Sequence, residues 1–195
     1  VIFYFYVKSR YGIPPIYGNI DWERYKYGVD SVLNLELPDW PAKFYLSYLL
    51  YLSISIKFFF PISALILNIF FNLLSAILIY KISNHLFEKR AAIFSVILFL
   101  FYPFIQMWVF FIQPVSFFSF SILLLTFFVV SKYYVTNYYL FLVAALIAVS
   151  ARPNGIAIFA SLIFFLFLTT LISRKKIIFY LFLICLIFLI IYLFF

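Results

Sequence analysis

A succession of apolar runs, most of them close to the length of a bilayer crossing, constrains this chain more than any other feature. After Lys43 they fall at roughly 44–60, 61–82, 91–112, 114–131, 138–151, 156–173 and 177–195. A helix needs about 20 predominantly apolar residues to cross the hydrocarbon, a length that the 138–151 run reaches only with its polar flanks. The later separators are short: SNHLFEKR, the Gln113-Pro114 step, KYYVTN, ARPNG and SRKK. Free backbone groups find no partner in lipid, so these runs are expected to be helices, and the even strand spacing of a membrane barrel is absent. Composition agrees. Hydrophobic residues make up 68% and charged residues 10% of the chain, against about 25% charged in soluble domains. A soluble fold of this size has nowhere to hide 30 Phe and 17 Tyr. The fold class is therefore an all-α polytopic membrane protein.

The chain divides as one transmembrane domain rather than several. Residues 1–7, VIFYFYV, are too few to span and read as the end of a first crossing whose start lies upstream. They precede Lys8 and Arg10, the reverse of the charge order in a signal peptide. Residues 8–43 form an outer loop, 44–60 an interfacial helix, and 61–195 about six spans; the chain as a whole is expected to be the N-terminal fragment of a larger protein. The Tyr-rich start of 44–60 (Tyr45, Tyr48, Tyr51) suits a membrane interface, and Pro61 marks a bend into the next run. The single Cys, Cys185, lies in an apolar run and reads as a small buried side chain.

The net charge of +8 does not indicate nucleic acid, because the basic residues sit in small clusters between apolar runs. With 61–82 running inward and each later run reversing, Lys81, Lys89, Arg90, Lys132, Arg174, Lys175 and Lys176 share the cytoplasmic side. Only Arg152 among the later basic residues then faces out, together with the 8–43 loop.

Candidate chemistry concentrates on that outer face. Five of the six acids, Asp21, Glu23, Asp30, Glu36 and Asp39, lie in the first loop, and the sixth, Glu88, reads as a surface pair with Lys89 and Arg90. Glu36 and Asp39 read as solvated loop residues. Asp21 and Glu23 stand among aromatics in GNIDWERYKY, where a partly desolvated carboxylate suits proton abstraction from a hydroxyl. Arg152, in Ala151-Arg152-Pro153-Asn154-Gly155, joins two apolar runs. It reads either as an arginine snorkelling to the headgroups or as a phosphate clamp. Tyr102, Gln113 and Asn154 are further polar positions near the outer ends, with Trp108 an interface anchor and Gln113 also readable as a helix cap. Walker, dinucleotide, zinc and nucleophile-elbow patterns are all missing, which removes the case for chemistry on a soluble nucleotide.

In this order the motifs resemble the family 39-like membrane glycosyltransferases of the GT-C superfamily, which include protein O-mannosyltransferases and transferases that decorate lipid A. The resemblance rests on Asp21-Trp22-Glu23-Arg24-Tyr25 in a first outer loop and the aromatic Phe44-Tyr45-Leu46-Ser47-Tyr48. It continues through the basic turn at Ile82–Arg90, the Tyr102-Pro103 step and Arg152-Pro153-Asn154-Gly155. One departure stands out: where many relatives carry Glu at the start of the helix after the Tyr-Pro step, this chain has Gln113. A neutral amide hydrogen-bonds but neither takes up a proton nor helps hold a divalent cation, so no cofactor is firmly implied.

The resemblance implies a GT-C-like bundle and an inverting transfer from a polyprenyl-phosphate sugar to a lipid, glycan or protein hydroxyl. Asp21 is then the base, with Glu23 in support. Arg152, then Arg24 and Lys57, hold the leaving phosphate, and Gln113, Tyr102 and Asn154 contact the substrate. The implied location is the plasma (inner) membrane of a prokaryote. The rival readings are a polytopic transporter or channel, and a lipid-linked glycan polymerase, ligase or flippase. A transporter calls for polar residues at mid-depth, and the spans supply only isolated ones such as Asn68 and Asn72.

Overall fold

The computed structural model describes residues 20–36, 38, 45–59, 61–111, 113–173 and 176–194. Among these residues the chain is helical and contains no strand. The helices are α1 (Ile20–Leu33), α2 (Leu46–Phe59), α3 (Pro61–Leu86), α4 (Lys89–Phe101), α5 (Pro103–Val109), α6 (Val115–Val130), α7 (Tyr133–Thr136), α8 (Tyr138–Ala151), α9 (Gly155–Ser173) and α10 (Lys176–Phe194). By length and composition two stretches can cross a membrane, Ala64–Leu86 and Gly155–Ile172, or three if the bent pair α4–α5 counts as one. At 14 residues α8 measures roughly 21 Å, short of the ~30 Å hydrocarbon core.

Two junctions depart from a simple succession of straight spans. Pro61 opens α3 directly after α2, and the chain doubles back there. The Tyr51 hydroxyl donates to the Ala64 carbonyl at 3.2 Å and lies 3.5 Å from Asn68 Oδ1, approaches that a continuous helix forbids. The second is a correction. The 91–112 run is not one straight helix but breaks at Tyr102-Pro103, where α4 and α5 meet at 60°. Proline disfavours helical backbone in the residue before it, and Tyr102 is extended at φ −74°, ψ 104°.

The break leaves a backbone carbonyl without its helical partner, and side chains supply the partners. Pro103 has no N–H to give the Phe99 carbonyl four residues back. Gln106 Nε2 donates to that carbonyl instead, at 2.9 Å. Asn72 Nδ2 donates to Gln106 Oε1 at 2.8 Å, and Asn68 Nδ2 to the Phe111 carbonyl, also at 2.8 Å. Asn68 and Asn72 stand four apart on one face of α3, so a single stripe stitches α3 to the broken segment. A proline break in an apolar helix persists on such terms.

Packing between the longer helices uses aromatic rings and small residues. α3 and α6 run parallel: Phe71 lies 5.2 Å from both Phe117 and Phe120, and farther along Lys81 sits 5.6 Å over the Phe127 ring. Ser75 and Ser121 are buried on these helices, each donating to the carbonyl four residues back. Small side chains let helices approach closely in apolar surroundings. α8 does the same with Ala144, Ala145 and Ala148, buried in the larger core with Phe141, Phe159, Leu166, Leu181 and Cys185. Phe128 meets Phe141 at 6.3 Å while Ala151 clusters with Phe117 and Phe118, so α8 runs antiparallel to α6. Between α6 and α7 stands Lys132, one of two described non-glycine residues in the left-handed region, at φ 58°.

This arrangement gathers Lys81, Lys89, Arg90 and Lys132 at one end of the bundle. α1, α2 and the Arg152 turn gather at the other. Arg174 and Lys175 lie outside the described residues. Glu88 makes no ion pair with Lys89 or Arg90 among the described residues. It precedes α4 in extended conformation, without a side-chain cap, which corrects the expected surface pair.

Candidate functional site

The end carrying Arg152 is organised around a second buried cluster drawn from five helices. Tyr25 and Val29 come from α1, Tyr48, Leu49 and Leu52 from α2, Ala64 from α3, Phe117 and Phe118 from α6, and Ala151 from α8. Aromatic edges join the first two helices: Tyr25 stands 5.5 Å from Tyr45 and 5.3 Å from Tyr48, at 70° and 76°. Tyr51 then stacks on Phe117 at 5.2 Å and 4°. Such ring pairs contribute ~0.5–1.5 kcal/mol each beyond the area they bury. Gly28 allows the approach of α1 to α2, since a Cβ there would stand 2.7 Å from Leu49 Cδ1.

Asp21 and Glu23 lie on α1, and their side chains, with that of Arg24, lie outside the described ones. The helical register sets Asp21 one turn before Tyr25, on the same side of the helix. Glu23, two positions from Tyr25, is on another side. Asp30 and Glu36 are exposed, and Asp39 falls outside the described residues.

The Arg152 turn is built tightly. Ala151 is fully buried, and Arg152 ends α8 in extended backbone at φ −163°, ψ 149°. Gly155 N–H donates to the Arg152 carbonyl at 2.8 Å and Ile156 N–H to the Pro153 carbonyl at 3.2 Å, closing the turn into α9. A Cβ on Gly155 would stand 2.4 Å from the Ala148 carbonyl oxygen and 2.7 Å from that of Val149, so glycine is demanded by space. The Arg152 side chain is half-buried and has no ion-pair partner among the described residues, while Asn154 is exposed. The Ser47 hydroxyl donates to the Ile147 carbonyl at 3.0 Å, fastening the start of α2 beside the last turn of α8.

The remaining candidates divide. Gln113 is buried one turn before Phe117, close to the cluster. Lys57 is exposed in the last turn of α2 and does not belong to the cluster. Tyr102 is exposed at the α4–α5 bend and belongs to neither buried cluster, so it is not gathered with Ala151 beside Arg152. Trp108 packs edge-on against Phe104 at 6.4 Å and is half-buried. Among the described residues no three His, Cys, Asp or Glu side chains converge.

Sequence reasoning missed the Tyr51–Asn68 and Asn72–Gln106 contacts. The signal was there: two asparagines spaced i, i+4 in an apolar run, and a glutamine just past a Tyr-Pro step. Comparison with known proteins gives no match to any family model, any curated protein or any solved structure.

Proposed function

We propose that this chain belongs to a polytopic GT-C-like membrane glycosyltransferase that moves a sugar from a polyprenyl-phosphate donor to an acceptor hydroxyl on the outer face. The acceptor is a lipid, glycan or protein, and the setting is the plasma membrane of a prokaryote. The basic end, with Lys81, Lys89, Arg90 and Lys132, is cytoplasmic, which puts α1 and the Arg152 turn outside. The apolar helices α6, α8 and α10 complete the bundle as further spans.

One observation supports this reading best. The helix bearing Asp21 and Glu23 and the turn bearing Arg152, more than a hundred residues apart in sequence, share one buried cluster through Tyr25 and Ala151. Asp21 takes the proton from the acceptor hydroxyl as its oxygen attacks the anomeric carbon with inversion. The bond to the lipid phosphate breaks as this bond forms, and the phosphate leaves with the electron pair. Arg152 holds that phosphate with permanently charged donors. Glu23 and Arg24 support these roles.

The test is turnover of a panel of polyprenyl-phosphate sugars by the full-length protein in liposomes. Asp21→Asn keeps the shape and removes the basic oxygen, so turnover falls by ~10²-fold or more with donor binding little changed. Arg152→Ala weakens donor binding as well as turnover, because the phosphate is charged in ground and transition states alike. Glu36→Gln, exposed just past the end of the same helix, stays near normal. Normal transfer by Asp21→Asn would remove the reading.

The broken α4–α5 pair and its amide network favour a second reading, a transporter or lipid-linked glycan flippase, since interrupted helices carry substrate sites in many transporters. Uptake or flipping in proteoliposomes that fails in Gln106→Leu, with no sugar transfer, would select it.

A further inference from the structure

Between α3 and α4 lies a groove of about 290 Å³ lined only by Ala76, Ile77, Tyr80, Ile93, Val96 and Ile97. Ile77, Ile93 and Ile97 are roughly half exposed along it. α4 offers little to any other helix: among its residues only Ala92 is buried. The groove runs toward the basic end. Lys89 stands one turn before Ile93 on the same stripe of α4, and Arg90 flanks it by one position.

Both cations are exposed, and neither has an ion-pair partner among the described residues. Their position is one the fold itself disfavours, because the first turn of a helix carries the positive end of its dipole. Holding a loop on one side of the membrane requires cations somewhere in the turn, but not on those two residues. Glu88 is the one acid beside them, and Lys81 is engaged over Phe127.

We propose that this groove is a binding site for an anionic phospholipid. One acyl chain lies along Ala76, Tyr80, Ile93 and Ile97, and the headgroup phosphate lies against Lys89 and Arg90. An apolar slot continuous with exposed cations fits an amphiphile with a charged head, and basic pockets between membrane helices on the cytoplasmic side recognise such heads. The site is independent of the transferase reading and requires only that the chain lie in a bilayer.

The test places a reporter in the groove. In a full chain whose three tryptophans are replaced by Phe, Ile93→Trp is reconstituted in vesicles of brominated-chain phosphatidylglycerol or phosphatidylcholine. The expected result is preferential quenching by phosphatidylglycerol at low ionic strength, by about five- to twenty-fivefold in relative association, from a gain of about fivefold per cation. The preference falls with salt. Lys89→Gln with Arg90→Gln, both surface changes, brings the ratio close to one. Phe164→Trp, a reporter on the exposed face of α9, shows no preference. Equal quenching by the two lipids at the groove reporter overturns the proposal. So does a preference that survives the double substitution, or one that is equally strong at the α9 reporter.

Discussion

Gly155 is where the structure makes its sharpest demand on the sequence. Substituting alanine adds one carbon, and that carbon would meet three backbone atoms: the Ala148 oxygen at 2.4 Å, the Val149 oxygen at 2.7 Å and the Val149 Cα at 2.9 Å. No rotamer change relieves backbone atoms, so the junction of α8 and α9 must open. Overpacking of this kind costs ~1–3 kcal/mol, and three backbone obstacles put this case at the upper end. Alanine returns about 0.4–1 kcal/mol by restricting the unfolded chain, which leaves a net loss of about 2 kcal/mol. For a protein of this length that corresponds to a fall in midpoint of several degrees, at ~2–4 °C per kcal/mol.

The informative comparison is Gly28→Ala. Its Cβ would also come too close, at 2.7 Å, but to Leu49 Cδ1, the far end of a side chain that can rotate. The same chemical change therefore costs clearly less there. Thermal unfolding of both variants in one detergent, followed by circular dichroism, measures the difference. Gly155→Ala as stable as the parent, or less harmful than Gly28→Ala, would refute the reasoning. A shift of the Arg152 turn would also weaken donor binding in the transferase reading, with the larger effect again at Gly155.

Labelling of single cysteines in a Cys185→Ala background should place Asn154→Cys and Lys89→Cys on opposite sides of the membrane, accessible to impermeant reagent from one side each. Labelling of both from the same side would break the antiparallel course of α6, α8 and α9. In the larger core, Ala145→Leu should destabilise by ~1–3 kcal/mol because Ala145 is buried between packed helices. Val143→Leu, at 52% exposure on the same helix, should change the unfolding midpoint little, and equal effects at the two positions would contradict the packing.

Helical character was legible because apolar runs of this length leave the backbone no partner but itself. The ends of the runs were legible for the same reason, wherever a polar separator interrupts them. Lengths were less so: α3 continues to Leu86 through Ser83 and Asn84, since polar residues near a helix end can project outward without breaking it. The break at Tyr102-Pro103 was written in the sequence, but its depth was hidden in Asn68 and Asn72. These read as isolated polar residues until the chain brings Gln106 and Phe111 to them. The candidate site divides the same way. The Arg152 turn declares itself locally through Pro153 and Gly155, whereas its company with Tyr25 and Tyr48 depends on contacts across the whole chain. Local chemistry is readable residue by residue; convergence is not.

Pro103 and Gln106 form a pair whose dependence can be measured. Gln106 Nε2 occupies the role of the N–H that Pro103 lacks, since both address the Phe99 carbonyl. Gln106→Leu leaves that carbonyl unpaired and frees Asn72 Nδ2 as well. Hydrogen bonds between membrane helices average ~0.6 kcal/mol and reach about 1.7, so losing two linked ones should cost ~1–3 kcal/mol. In a Pro103→Ala background the residue at 103 regains an N–H one turn from Phe99, and the amide of Gln106 is no longer the only donor in reach. The cost of Gln106→Leu should then fall by half or more, a coupling visible as non-additivity in a double-mutant cycle. Equal costs in the two backgrounds would mean that Gln106 serves Asn72 alone and that the bend owes nothing to the Phe99 carbonyl. A bend that has lost its cause should also straighten. Spin labels at Val96 and Trp108 should therefore move apart in Pro103→Ala, and an unchanged distance would assign the 60° angle to the Asn68 and Asn72 contacts rather than to the proline.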